Sequence, residues 1–132
     1  MLNSSAKPAP LDASDENHEK GFVTRSGIRL LFNDDEKSIV METPGGKKVV
    51  LDEDAGMIHL EDEHGNRIIL DSESISFDTP SEIIMKAAGD INIEGMNVNI
   101  KAGGQFKAEG SAGAEMSTSA VAVVKGSIVQ IN

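Results

Sequence analysis

The sequence predicts an all-β chain: an intertwined homotrimeric β-helix (a triangular β-prism) with 7–8-residue repeats, preceded by a β-meander of 9–10-residue units. Three observations carry that prediction. Apolar–x–apolar triplets recur at a near-constant interval from residue 75 onward. Before them, short runs alternating apolar with polar residues are separated by Gly, Asn, Asp and Pro. The apolar material suits only a thin core, with four Phe, no Trp, Tyr or Cys, and 13 Gly among the Ile, Val, Leu, Met and Ala. Aromatic burial is often the largest contribution per residue, so one copy has little with which to build a thick core.

Residues 1–20, with Pro8, Pro10 and few large apolar side chains, read as a flexible linker or a stub. His18 lies there and reads as a solvated side chain, since nothing nearby would complete a metal site.

Residues 21–74 read as the meander. The runs IRLLF (28–32), SIVME (38–42), KVVLD (48–52), MIHLE (57–61) and RIILD (67–71) alternate at period two, and each is followed by turn chemistry. Pro44-Gly45-Gly46 and His64-Gly65-Asn66 are expected reversals.

Residues 75–132 read as the octad repeat. Triplets begin at Ile75, Ile83, Ile91, Val98, Phe106, Ala114, Ala122 and Val129, seven or eight residues apart. The inward pairs are Ile75/Phe77, Ile83/Met85, Ile91/Ile93, Val98/Ile100, Phe106/Ala108, Ala114/Met116, Ala122/Val124 and Val129/Ile131. A charge often follows the pair, as at Lys86, Glu94, Lys101, Glu109 and Lys125, and then a small residue such as Gly95 or Gly110. Asn92, Asn97 and Asn99 fall at solvent-facing positions.

A triplet apolar at both ends is a very short strand that shows one face to a core. One chain winding alone would leave every strand edge unpaired, and neither hexapeptide nor calcium-binding nonapeptide spacing is present. Three chains wound about one axis pair their strands with each other and fill a narrow prism with Ile, Val, Met and Ala. Eight units per chain at a strand spacing of ~4.7 Å give a rod of about 38 Å.

These residues resemble a known family. The stretch 20–71, the octads and the ending VKGSIVQIN (124–132) are similar to the C-terminal spike region of VgrG, the tip protein of type VI secretion systems. That region is related to the central spikes of contractile phage tails and extracellular injection particles. TRSGIRLLFND, GNRIILD and KGSIVQIN carry the resemblance together, over about residues 20–132. It implies an intertwined trimeric β-helix on the tip of an inner tube. Upstream domains, an OB-fold among them, would connect the spike to the tube and baseplate and are expected to be missing here. Some phage spikes end in a His-x-His motif that holds iron. This sequence reads Ile131-Asn132 at that position, so no tip metal is expected. The resemblance then implies a blunt end with Val129, Ile131 and Asn132 as the interface for a conical PAAR-repeat cap.

Catalytic and ligand chemistry finds little support. His59 is expected to point outward between Ile58 and Leu60, and His64 to sit in a turn, which leaves two nitrogens without a third ligand. DEDAG (52–56) has its Gly one position early for a calcium loop and no Glu at the twelfth position. TPGGKK (43–48) lacks the phosphate-loop spacing. The serines of 111–120 have no His after His64 to activate them. Carboxylates abound, but no aromatic sugar platform accompanies them. No cofactor is expected.

Twelve basic against 22 acidic residues, a formal charge of −10, argue against a nucleic-acid backbone or an anionic lipid surface as the natural partner. No apolar run reaches the ~20 residues of a membrane helix. The start of the sequence lacks secretory-signal features, so synthesis in the bacterial cytoplasm is expected, with export by a contractile machine or assembly into a virion tail. The leading expectation is a non-enzymatic homotrimeric spike that pierces a target cell envelope and carries a PAAR-type tip. The alternative is a trimeric fibre or adhesin segment that binds a receptor or glycan.

Overall fold

The computed structural model describes residues 19–132. His18 and residues 1–18 of the expected linker lie outside the described residues. The chain divides into two units, one ending at Lys86 and the other spanning Ala87–Asn132.

The first unit is a seven-stranded, wholly antiparallel meander in strict chain order. Its strands are β1 (Glu19–Val23), β2 (Arg29–Asn33), β3 (Ser38–Glu42), β4 (Lys48–Asp52), β5 (Met57–Glu61), β6 (Arg67–Leu70) and β7 (Ile75–Asp78). The described residues contain no helix. β3, β4 and β5 coincide with the runs that periodicity marks, because alternation and turn residues there agree. At the start, β1 takes in Glu19 and Lys20, which the sequence reading placed in the linker. Gly21 permits this pairing: a Cβ at that position would run into the Leu30 carbonyl oxygen on β2.

The repeating unit of the meander is a two-strand hairpin of nineteen residues. Thr24, Thr43 and Asp62 stand nineteen residues apart and open equivalent turns. At each, the first residue's N–H donates to the fifth residue's carbonyl: Thr24 to Ile28 (2.9 Å), Thr43 to Lys47 (2.9 Å) and Asp62 to Asn66 (3.2 Å). The first side chain closes the turn by accepting the fifth residue's N–H, at 3.1 Å for Thr24, 3.3 Å for Thr43 and 3.1 Å for Asp62. The fourth residue is Gly27, Gly46 or Gly65, at φ 98°, 107° and 87°, where a side chain would be strained.

The opposite turns follow the same period. Asn33, Asp52 and Asp71 accept backbone N–H groups from Glu36 (3.0 Å), Ala55 (2.9 Å) and both Glu73 and Ser74 (2.9 Å each). The last hairpin is tighter. Leu51 pairs with Ile58 across the second of these turns, whereas Leu70 pairs with Ile75 across the third. Ile75 and Phe77, read in the sequence as the first octad, therefore form the meander's final strand.

Ala87–Asn132 is extended chain with regular corners. The backbone bends at 88–89, 96, 103–104, 111–112, 119–120 and 127–128, and each apolar triplet from Ile91 onward begins after such a bend. Among the described residues of this unit no backbone–backbone hydrogen bond forms. All residues of this unit are exposed.

Candidate functional site

Strand pairing sorts the meander into two unlike faces, because residues opposite each other in register lie on the same face. One face carries two parallel rows. The first reads Phe22, Leu30, Met41, Val49, Leu60, Ile68, Phe77 from β1 to β7. The second reads Lys20, Phe32, Ile39, Leu51, Ile58, Leu70, Ile75. Lys20 alone interrupts the apolar character. Within the described residues of the first unit these rows lie open: Phe32, Met41, Leu51, Ile58, Leu60, Ile75 and Phe77 are all exposed. No hydrophobic side chain is buried among the described residues, and Ser38, 8% exposed, is the one buried polar residue among them. A contiguous apolar surface of this kind marks an interaction face.

The other face is built for water. Its outer row reads Arg29, Glu42, Lys48, Glu61, Arg67, Asp78 across β2–β7, a ladder of strictly alternating charge. Arg29 lies 3.6 Å from Glu42, and Arg67 2.7 Å from Asp78. The ladder follows from the nineteen-residue repeat, which returns a cation at Arg29, Lys48 and Arg67. Reading the meander as nine- to ten-residue units hides it. Superposing the three hairpins in the sequence would have revealed it.

Beside this ladder runs a strip of Leu31, Val40, Val50, His59 and Ile69. His59 thus alternates away from Ile58 and Leu60, as expected, but it is not solvated. Its side chain is 22% exposed, and Val50 and Ile69 flank it in register. Its Nε2 is buried without a hydrogen-bond partner, with the Glu61 carboxylate 3.9 Å away. His64 sits in its turn, largely exposed, 3.9 Å from Glu63. No cluster of three or more His, Cys, Asp or Glu able to hold a metal exists among the described residues.

Three turn carboxylates are held below their ordinary range. Asp62 is lowered chiefly by the Asn66 amide, which donates to Oδ2 at 2.8 Å, helped by the backbone N–H groups of His64 and Asn66. Glu63 is lowered mainly by the Lys47 ammonium at 2.8 Å. Asp71 is lowered by the N–H groups of Glu73 and Ser74. These groups stabilise turns and do not converge on a cleft.

The expected core residues fall into three groups. Ile75 and Phe77 lie on β7 in the apolar rows. Ile83 and Met85 follow in extended chain within the first unit. Ile91, Ile93, Val98, Ile100, Phe106, Met116, Val124, Val129 and Ile131 lie in the second unit, and all are exposed. One copy brings none of them into a buried core. Val129, Ile131 and Asn132, expected at the cap interface, are likewise exposed.

Positions outside the inward pairs of the second unit are mostly polar. The residues preceding its triplets are Asp90, Asn97, Gln105, Gly113, Val121 and Ile128, and the middle residues are Asn92, Asn99, Lys107, Glu115, Val123 and Gln130. Val121, Val123 and Ile128 are the apolar exceptions among these, and Met96 is a further exposed apolar residue at a corner.

Over residues 38–107, more than half of the chain, the sequence matches the family described as the phage baseplate V C-terminal trimerisation domain. That family is structural rather than enzymatic, and its trimerisation supports self-association of this chain. No curated protein matches the chain significantly.

Proposed function

The chain belongs to the phage baseplate V C-terminal trimerisation domain family, and from that premise we propose that three copies form the shaft of a contractile injection machine's spike. Each copy turns its two apolar rows toward a shared axis and leaves the charge ladder in water. Beyond Lys86, the three chains wind about each other so that each triplet strand pairs with strands of the other two. The observation that carries this reading is the absence of any buried hydrophobic side chain among the described residues of one copy, although the apolar residues are regularly arranged. Burial of apolar surface is the dominant favourable contribution to folding, and a copy alone forgoes most of it.

The mechanism is mechanical. Inter-chain strand pairing and a dry core resist bending while a driven tube concentrates force on a small area of the target envelope. A PAAR-repeat protein seats on Val129, Ile131 and Asn132, and the machine is a type VI secretion system, a phage tail or an extracellular injection particle. Sedimentation equilibrium of the chain tests the reading: a mass of three copies is expected, and a stable folded monomer refutes it.

A further inference from the structure

The series of hairpins stops at a turn that begins like the others. Thr79 follows Asp78 as Thr43 follows Glu42 and Asp62 follows Glu61, the preceding residue standing in the charge ladder each time. Thr79-Pro80 also repeats Thr43-Pro44. Successive turns stack, and each glycine leaves room for the next turn. A Cβ on Gly27 would lie 3.4 Å from Pro44, on Gly46 3.2 Å from Glu63 and on Gly65 3.3 Å from Pro80. Pro80 therefore takes the place that Pro44 and Glu63 hold in completed turns. The Thr79 hydroxyl donates to Asn66 Oδ1 at 2.5 Å and ties the fourth turn to the third.

Two residues later the likeness ends. The fourth residue of each completed turn is glycine at positive φ, and here it is Glu82. Lys37 is the one described residue other than glycine at positive φ, so Glu82 keeps an ordinary backbone. The Thr79 hydroxyl accepts the Ser81 N–H at 3.1 Å, whereas the Thr43 hydroxyl accepts that of Lys47. Among the described residues no backbone hydrogen bond joins Thr79 to Ile83. The residues that follow also disagree with the sheet. Folded back on β7 in the register of the earlier hairpins, Ile84 would oppose Asp78 in the charge ladder. Lys86 would oppose Ser76, in line with the strip that contains Val50 and Ile69. Turn chemistry and strand polarity both point away from an eighth strand.

We propose that Glu82 terminates the hairpin series: it denies the fourth turn its left-handed residue, so the chain leaves its own sheet and the outer edge of β7 is kept for strands of other copies. The identity of that partner rests on the trimeric reading above, whereas the turn is a property of one chain. β7 pairs on one side only, and an unpaired edge is open to any strand that reaches it. Glycine at position 82 would enter the left-handed region without a steric cost, and an eighth strand of the same chain would then cover that edge. The point at which a chain stops pairing with itself thus sets where pairing between copies can begin.

Paired cysteines test this, since the chain has none of its own. Ser76→Cys and Lys86→Cys would face each other in a closed fourth hairpin, at a separation that a disulfide can span. The full chain carrying both is refolded, its mass in solution is measured, and it is oxidised and run on a non-reducing denaturing gel. With Glu82 in place the cysteines should stay free or join different copies. Adding Ser81→Gly and Glu82→Gly reproduces the Thr-Pro-Gly-Gly of the second turn, and the internally oxidised single chain should increase at least about fivefold. Ser81→Gly with Glu82→Ala removes the carboxylate but keeps a Cβ, and should behave like the parent. Equal internal oxidation in all three backgrounds, or a rise with alanine that matches the rise with glycine, overturns the proposal. A parent chain that sediments as a monomer overturns the trimeric reading and the partner with it, while the contrast between the glycine and alanine variants still decides the turn.

Discussion

Arg67 on β6 donates from Nη2 to the Asp78 carboxylate on β7 at 2.7 Å, the shortest ion pair in the charge ladder. Both side chains are partly exposed, so the pair is worth less than its geometry suggests. Its position gives it leverage, because β7 is the last strand of the meander and pairs on one side only. Arg67→Ala should cost about 0.5 kcal/mol. Hydrogen exchange should localise the loss to faster exchange in Ile75–Asp78, with β3 and β4 unaffected.

The inward assignment of the octads is tested by Ile93→Asp, which would bring three carboxylates together near the axis. Burying unpaired like charges costs several kcal/mol per group. Light scattering should show no normal trimer. A soluble trimer of ordinary size would overturn the assignment.

Ile58 and His59 are neighbours on opposite faces of β5, and substitutions there should have opposite effects. Ile58→Asp should abolish assembly, since Ile58 lies in the second apolar row between Leu51 and Leu70. His59→Val removes a buried nitrogen that has no hydrogen-bond partner and sits between Val50 and Ile69. It should leave the trimer intact and raise stability by about 1 kcal/mol, read as a higher denaturation midpoint.

Gly46→Ala puts a side chain at φ 107°, with its Cβ 3.2 Å from that of Glu63. The expected cost is about 1–2 kcal/mol. Circular dichroism melting of the variant, with Gly89→Ala as a comparison where a Cβ meets nothing within 4 Å, should separate conformational strain from a general glycine effect.

Acid should weaken the meander in a defined direction. Asp62, Glu63 and Asp71 have folded pKa values below their ordinary ones, so their contribution is complete above the unfolded values and is lost as pH falls through the folded ones. Thermal midpoints should therefore respond little to these groups at neutral pH and fall once the solution is more acidic than the ordinary carboxylate range of about 4. Asp71→Ala should flatten that acid-side slope.

Strand positions were legible in the sequence because alternation and turn chemistry coincide there: β3, β4 and β5 match their runs residue for residue. The corners at 103–104 and 111–112 also fall where the octads require. Three features were less legible. The pairing of β1 depends on Gly21 lying against the Leu30 carbonyl, a long-range contact without a periodic signature. Assigning Ile75/Phe77 to the repeat rather than to β7 turned on a hairpin only two residues tighter than its predecessors. His59 looked like a solvent-facing polar residue because alternation identifies the face, whereas its burial is set by Val50 and Ile69 on neighbouring strands.

The nineteen-residue hairpin makes the meander a measuring device that can be lengthened in whole steps. A second copy of residues 43–61 placed after Glu61 would add a strand with Lys and a strand with Glu, so the sign sequence through Arg67 and Asp78 would continue unbroken. Each step widens the sheet by about 10 Å and extends both apolar rows by two residues. A duplication of half that length would place like charges side by side and turn the next strand the wrong way. Spikes of different reach are therefore available from this sequence in increments of one hairpin.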